Sequence, residues 1–148
     1  MHSNASDGTY NPGDLVRIAI ESQLVAISIT DHDTVAGIEA AAEAAKGSQL
    51  ELVPGIEFSA VVDAREVHLL GYFIAPEAGR LQETLAVLAD SRIQRARKIV
   101  DRLAEIGLPL GWEKISEARH ENHVIGRPHI ARALVDQGYV RSVEAAFT

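Results

Sequence analysis

The chain opens polar and becomes periodic after Asn11. In "NPGDLVRIAIESQ" Leu15, Ile18 and Ala19 recur at helical spacing and Pro12 stands where a helix begins, so the segment predicts a helix. "LVAISIT" follows, a short β-branched apolar run of the kind that forms a buried strand, and it stops at the polar cluster "DHDT". "VAGIEAAAEAAKG" predicts a second helix, closed by Gly47 and with Asp33 as its expected cap. "LELVPGIEFSAVV" and "VHLLGYFI" read as two more strands, with Ala64, Arg65 and Glu66 between them. Helix, strand, helix, strand implies parallel pairing and a layered α/β architecture.

Beyond Pro76 the pattern changes. Leu81, Leu85, Leu88, Ile93, Ala96, Val100 and Leu103 form one apolar stripe, which predicts a single long helix from Leu81 to Ile106, closed by Gly107. Arg92, Arg95, Arg97, Lys98 and Arg102 lie on that helix and are expected to be a solvated face. Shorter helical pieces follow around Trp112–Ala118, Pro128–Gln137 and from Ser142 onward. The expected organisation is an α/β region over residues 1–75 and a helical insertion or cap over residues 76–148.

Composition narrows the chemistry. A chain of 148 residues, 47% of them hydrophobic, is enough for one domain with a real core. The absence of cysteine excludes disulfides, thiolate metal sites and cysteine nucleophiles, and suits a reducing cytoplasm. No apolar run approaches the roughly 20 residues of a membrane span, so a membrane is not an expected partner. A formal charge of -7 argues against general binding to polyanions while leaving room for a local basic patch that serves a phosphate.

Open α/β sheets bind ligands at the carboxyl ends of their strands, and here those ends carry metal-type side chains. Asp31, His32 and Asp33 end the first strand. Glu57 ends "VPGIEF", after a Gly55 that lets the backbone pass closely, and His68 lies in "REVHLLGY". His2 and Asp7 precede the first helix. Neutral imidazole with carboxylate suits zinc, manganese or iron better than calcium or magnesium. Singly, each has an ordinary alternative: His68 as a hydrogen-bonded core residue, Glu57 on an edge strand, "TDHD" as a capping loop. Their recurrence at successive strand ends favours a shared site.

"HSNASDGTYNPGDLVRIAIESQLVAISITDHDTVAGIEAA" resembles the opening of a PHP domain, the polymerase and histidinol phosphatase superfamily, and "PGIEFSA" and "VHLLGY" resemble its next two motifs in order and spacing. The remainder resembles the helical insertion of the metal-dependent phosphoesterase branch, which includes nucleotide phosphatases acting on AMP or 3′,5′-nucleoside bisphosphates. The resemblance implies part of a distorted seven-stranded β/α barrel with an inserted helical subdomain. It also implies two or three divalent metal ions (Mn, Zn or Fe) and hydrolysis of a small phosphorylated substrate, a nucleotide, by metal-activated water. By matching position, His2 would bind the first ion, Asp7 and His32 the second, and His68 the third, with Glu57 bridging the first and third. The catalytic group would be Asp31, His32 and Glu57, with Asp31 orienting a ligand histidine. "GRPHIARAL" places Arg127 and His129 at a helix start, where related phosphoesterases have a similar Arg-x-His, so both are expected to contact phosphate in preference to standing solvated. His120 and His123 are expected in a loop with no metal role.

Met1 stands where the family has the variable residue of a His-x-His. The opening strand, its first histidine, a His-Pro motif and a final Asp-x-His are therefore expected outside these residues, in a protein roughly twice as long. Two other functions compete. One is trimming of short RNA from its 5′ end, which needs stacking aromatics; Trp112 and Tyr139 offer thin support for that. The other is a non-catalytic PHP module of the kind attached to some replicative polymerases. The intact ligand positions argue against it.

Overall fold

Each element forms where its sequence leaves few alternatives. In the computed structural model, which describes residues 1–63, 65–117 and 124–147, helix α1 (Pro12–Glu21) starts at Asn11, whose side chain accepts the Asp14 N–H at 2.8 Å. Strand β1 (Ala26–Ile29) alternates, with Ile27 and Ile29 buried. Helix α2 (Ala36–Ala45) buries Gly37, Ile38 and Ala41. Val16 and Ala19 of α1 meet Ile27, Ile29, Ala41 and Leu50 in one apolar cluster, so both helices cover the same side of the sheet.

Strands β2 (Glu51–Val62) and β3 (Arg65–Tyr72) complete a three-stranded sheet of order β1-β2-β3. The first pair is parallel, as the alternation of helix and strand implies. The second is antiparallel, from Gly55 opposite Tyr72 to Val62 opposite Arg65. Arg65 and Glu66, expected between the strands, belong to β3. The short connection permits nothing but a hairpin, because a parallel return needs a crossover of a dozen or more residues. Val61, Val62, Leu69, Leu70, Tyr72 and Phe73 leave apolar surface exposed on that hairpin.

Helix α3 (Gly79–Glu105) is the long helix of the sequence pattern. With α4 (Trp112–Glu117) and α5 (Arg127–Asp136) it builds a second core of Ala96, Val100, Ile115, Ile125 and Ile130. The segment from Ser142 holds one 3-10 turn, Glu144–Phe147. His120 and His123 lie outside the described residues, as does Ala64.

Asp33 does not cap α2. The cap position is Val35, without a side-chain bond, and the Ala36 N–H donates to Thr34 Oγ1 at 3.2 Å instead. Asp33 has a left-handed backbone (φ 51°) that turns its carboxylate away from the helix and back onto the sheet. There Oδ1 accepts the Ser59 N–H at 2.8 Å. An aspartate tolerates this conformation better than most residues.

Gly55 meets the close approach expected of it: a Cβ there would stand 2.3 Å from Ser28 Oγ and 2.8 Å from Thr30 Cγ2. Gly55→Ala is therefore expected to cost about 1–3 kcal/mol through overpacking, read as a lower urea midpoint at unchanged m-value. An unchanged midpoint would mean that β1 yields at no cost.

Candidate metal centre

The site begins where the parallel ladder ends. Beyond Ile29 and Pro54, pairing resumes as a single bridge between His32 and Glu57. The Glu57 N–H donates to the Asp31 carbonyl at 3.1 Å, and the Asp33 N–H to the Glu57 carbonyl at 2.9 Å. Side chains facing each other across a ladder project to the same side, so the His32 imidazole and Glu57 carboxylate land together. On the other edge of β2, Ser59 lies opposite His68 and Val61 opposite Glu66. Strand alternation then gives Glu57, Ser59, His68 and Glu66 one common face.

The remaining two side chains come from the opening loop. Strand-type bonds anchor its start to β1: the Met1 amine donates to the Ser28 carbonyl at 2.8 Å, and the Thr30 N–H to the Met1 carbonyl at 2.8 Å. The loop then curls over the buried Asp31, whose carboxylate accepts the Ser3 N–H at 2.6 Å, Ser3 Oγ at 2.6 Å and Ser6 Oγ at 2.7 Å. Gly8 closes the curl, since a Cβ there would lie 2.2 Å from the His2 carbonyl oxygen. His2 and Asp7 are thereby aimed at the strand ends. Asp31's partners belong to this loop, so any ordering it exerts on His2 passes through the Ser3 backbone.

Two carboxylates interlock three imidazoles. His2 Nδ1 lies 2.8 Å from Asp7 Oδ1, and His2 Nε2 lies 2.6 Å from Glu57 Oε2. The other Glu57 oxygen is 2.5 Å from His68 Nδ1, so Glu57 spans His2 and His68. His32 sits between them, its ring edge-on to His2 at 4.6 Å and to His68 at 4.9 Å. The hydrogen bond from His2, with the nearby His32 charge, outweighs burial and holds the Asp7 carboxyl down at about 2. That same bond raises the pKa of His2. Burial acts to raise Glu57, yet its bonds to His2 and His68 and the His32 charge leave it below the usual carboxylate range. His32 is lowered, chiefly by burial, and so favours the neutral form that can donate a lone pair.

This donor set fits a divalent cation. His2, His32 and Glu57 offer ligand atoms that all lie within 4.8 Å of one another. His32 Nδ1 is buried with no hydrogen-bond partner among the described residues, 4.0 Å from Glu57 Oε1. A buried polar atom without a partner is costly, and a cation shared with Glu57 would satisfy it. Nitrogen and carboxylate ligands of this kind suit zinc, manganese or iron.

A cavity of about 170 Å³ opens from Asp7, His32 and His68 towards α3 and α5, where Arg92, Arg95 and Arg127 line it. Arg127 Nη2 pairs with Glu66 Oε2 at 2.8 Å. His129, expected beside it, instead lines a separate cavity with Asn4, Thr9 and Arg132. Its Nδ1 accepts the Gly126 N–H at 3.1 Å and closes the start of α5.

The α3 arginines are not simply a solvated face. Arg92 donates from Nε to Asp33 Oδ2 and from Nη2 to Ser59 Oγ, both at 2.6 Å. The pair is largely withdrawn from water, with side-chain exposures of 20% for Arg92 and 1% for Asp33. Arg97 lies over the Trp112 ring at 4.4 Å. The signal for Arg92 was its helical phase, four residues before Ala96 and seven after Leu85, on the apolar stripe.

Residues 1–139 match the family described as the PHP domain. The chain belongs to the PHP domain family. Among curated proteins, this PHP chain is 36% identical over 148 residues to the 5′-3′ exoribonuclease Rnm of Salmonella typhimurium, covering 99% of this chain and 50% of that protein. It is 30% identical over 147 residues to the 3′,5′-nucleoside bisphosphate phosphatase of Chromobacterium violaceum, covering 99% and 52%. Among solved structures, a candidate metal-dependent phosphoesterase from Bifidobacterium adolescentis superposes with a TM-score of 0.90 at 35% identity, covering 99% of this chain and 51% of that one. The PHP chain thus spans about half the length of the curated relatives it matches.

The geometry makes Asp31 the residue on which the loop's candidate ligands, His2 and Asp7, depend. Asp31→Asn turns an amide donor towards hydrogens already committed to it. A fall in manganese or zinc affinity of about 10–100-fold is expected, the usual effect of losing a partner that orients ligands, measured by calorimetry on the folded variant. Unchanged affinity would mean that the loop holds His2 and Asp7 without it.

Proposed function

We propose that this PHP domain belongs to an enzyme hydrolysing a phosphate ester of a small nucleotide, of the AMP or 3′,5′-nucleoside bisphosphate type, with water activated by two or three divalent ions. The observation that carries this reading is the cluster of His2, His32 and His68 interlocked by Asp7 and Glu57, open to a cavity lined by arginines. His2, Asp7, His32, Glu57 and His68 would hold the ions, and manganese, zinc and iron are the metals their chemistry suits. Bound there, the ions supply Lewis acidity towards phosphoryl oxygens and a water ionised near neutral pH. The chain's own residues do the rest. Glu57 keeps His2 and His68 at fixed separation, and Asp31 keeps the loop closed. Arg127 lies across the cavity from the histidines and is suited to hold phosphoryl oxygens; its fork matches their geometry. In this reading His129 supports that helix start. The three strands form part of the seven-stranded barrel that the family resemblance implies, with residues 76–148 as its helical insertion, in a cytoplasmic protein.

A second reading has its own support. The 36% identity to an exoribonuclease favours a short RNA as substrate, and Phe147, 56% exposed, lines the same cavity. An exposed ring beside a phosphate site can stack a base. Trp112 does not serve that purpose, because it packs against the second core. Tyr139 is held at its hydroxyl, which donates to the Pro109 carbonyl at 3.2 Å.

The deciding experiment presents AMP, adenosine 3′,5′-bisphosphate and 5′-phosphorylated short RNA to the complete protein, loaded in turn with manganese, zinc and iron. Preferred release of phosphate from the nucleotides is expected, and nucleotide release from RNA in preference would establish the second reading. Glu57→Ala and His68→Ala should each reduce turnover to background while leaving the melting temperature within a few degrees. Full activity in either variant would remove that residue from the site.

A further inference from the structure

The cavity carries one feature that hydrolysis alone does not need. Arg95 on α3 and Arg127 on α5 converge on a single carboxylate, Glu66 of β3: Arg95 Nη2 lies 3.1 Å from Oε1, and Arg127 Nη2 lies 2.8 Å from Oε2. All three side chains line the cavity that His32 and His68 line. Glu66 and His68 are two apart on one strand, so they project to the same side, roughly 7 Å from each other along β3. The trio is wet, with side-chain exposures of 51% for Arg95, 50% for Arg127 and 32% for Glu66. Ion pairs of that exposure are weak and exchangeable.

We propose that Glu66 is a resident anion that occupies the Arg95–Arg127 pair and must be displaced by the second phosphate of a substrate that carries two, so that it holds down the affinity for such ligands and leaves single-phosphate ligands untouched. This rests on the phosphoesterase reading above and adds to it what limits the affinity for a second phosphate. A phosphate held at the histidines leaves the arginine pair one strand-repeat away. The 3′- and 5′-phosphates of one nucleoside are separated by a single ribose, and so are successive phosphates of an RNA strand. Either could present its second phosphate to the two arginines. A phosphate dianion offers more charge and more acceptor oxygens than a carboxylate, and guanidinium groups bind it in forked pairs. It therefore displaces Glu66. A ligand with one phosphate, held at the metal centre, has nothing with which to compete, and the carboxylate stays in place. Glu66 thus opposes any occupant of the arginine pair, and it positions the two arginines between visits.

The test compares adenosine 3′,5′-bisphosphate with AMP on the complete, manganese-loaded protein. KM is read where the ligand is turned over, and Kd by calorimetry where it is not. Glu66→Gln should tighten the bisphosphate about fivefold, the size expected when two half-exposed ion pairs no longer compete, and change AMP less than twofold. Asp63→Asn makes the same charge change at the hairpin turn and should alter neither ligand. Adding Arg127→Gln to Glu66→Gln should abolish the gain. A loss of affinity in Glu66→Gln would show that the carboxylate only positions the arginines. Equal tightening of both ligands would reduce the effect to overall charge, and no change would mean that the two arginines do not receive the second phosphate; each of these overturns the proposal. The affinity pattern without turnover of either ligand would leave the gate standing and sink the phosphoesterase reading. Turnover with a flat affinity pattern would do the reverse.

Discussion

A buried carboxylate organises the front of this molecule. Asp31 is 1% exposed, at the end of a parallel ladder, and a charge in that position is tolerable only if nearby hydrogens answer it. The nearest donors are the Ser3 N–H and the two serine hydroxyls of the opening loop. Satisfying Asp31 therefore requires the loop to fold back over the sheet edge, and a loop so folded carries His2 and Asp7 to the strand ends. The polar opening of the sequence is the cap on a charge, and His2 and Asp7, the candidate metal ligands, ride on it.

The second constraint is that the strand ends and the helical half share side chains. Asp33 uses one oxygen for the sheet, through Ser59, and the other for α3, through Arg92. Glu66 does similar work further out, reaching both α3 and α5. The inner pair is dry and fixes position; the outer trio is wet and can exchange. That difference in water access, more than any difference in residue type, separates the fixed scaffold of this cavity from the side chains free to exchange partners.

Much of the site could be read from the sequence because it depends on local order. An apolar run of strand length followed at once by acidic and imidazole side chains places Asp31 and His32 at a strand end whatever the remaining fold does, whereas Glu57, read as ending its strand, stands inside β2 where the ladder with β1 gives out. The long helix was equally plain, since a stripe from Leu81 to Leu103 has one periodic solution. What escaped was non-local. Asp33 stands where a helix cap belongs, and only the left-handed turn of its backbone shows that it faces β2 and α3 instead. Arg92 reads as one more surface charge among five until a partner 59 residues earlier appears. The hairpin of β2 and β3 required weighing the shortness of the link against a parallel pattern. His129 matched its motif, yet its ring turns inward to close a helix.

The buried union of Arg92 with Asp33 has a practical bearing on redesign. A helical segment above a candidate site invites exchange, since grafting one from a relative is an obvious way to alter which ligands the cavity takes. Here the graft has a hidden requirement. A replacement without a basic residue in the helical phase of Arg92 leaves the buried Asp33 carboxylate with only its Ser59 N–H bond, at a cost of about 3–5 kcal/mol for a broken buried pair. Such a chimera would disturb the strand ends that carry the candidate metal centre while trying to change the cavity. Exchanges that keep the inner pair and vary only the outer arginines keep the two properties independent.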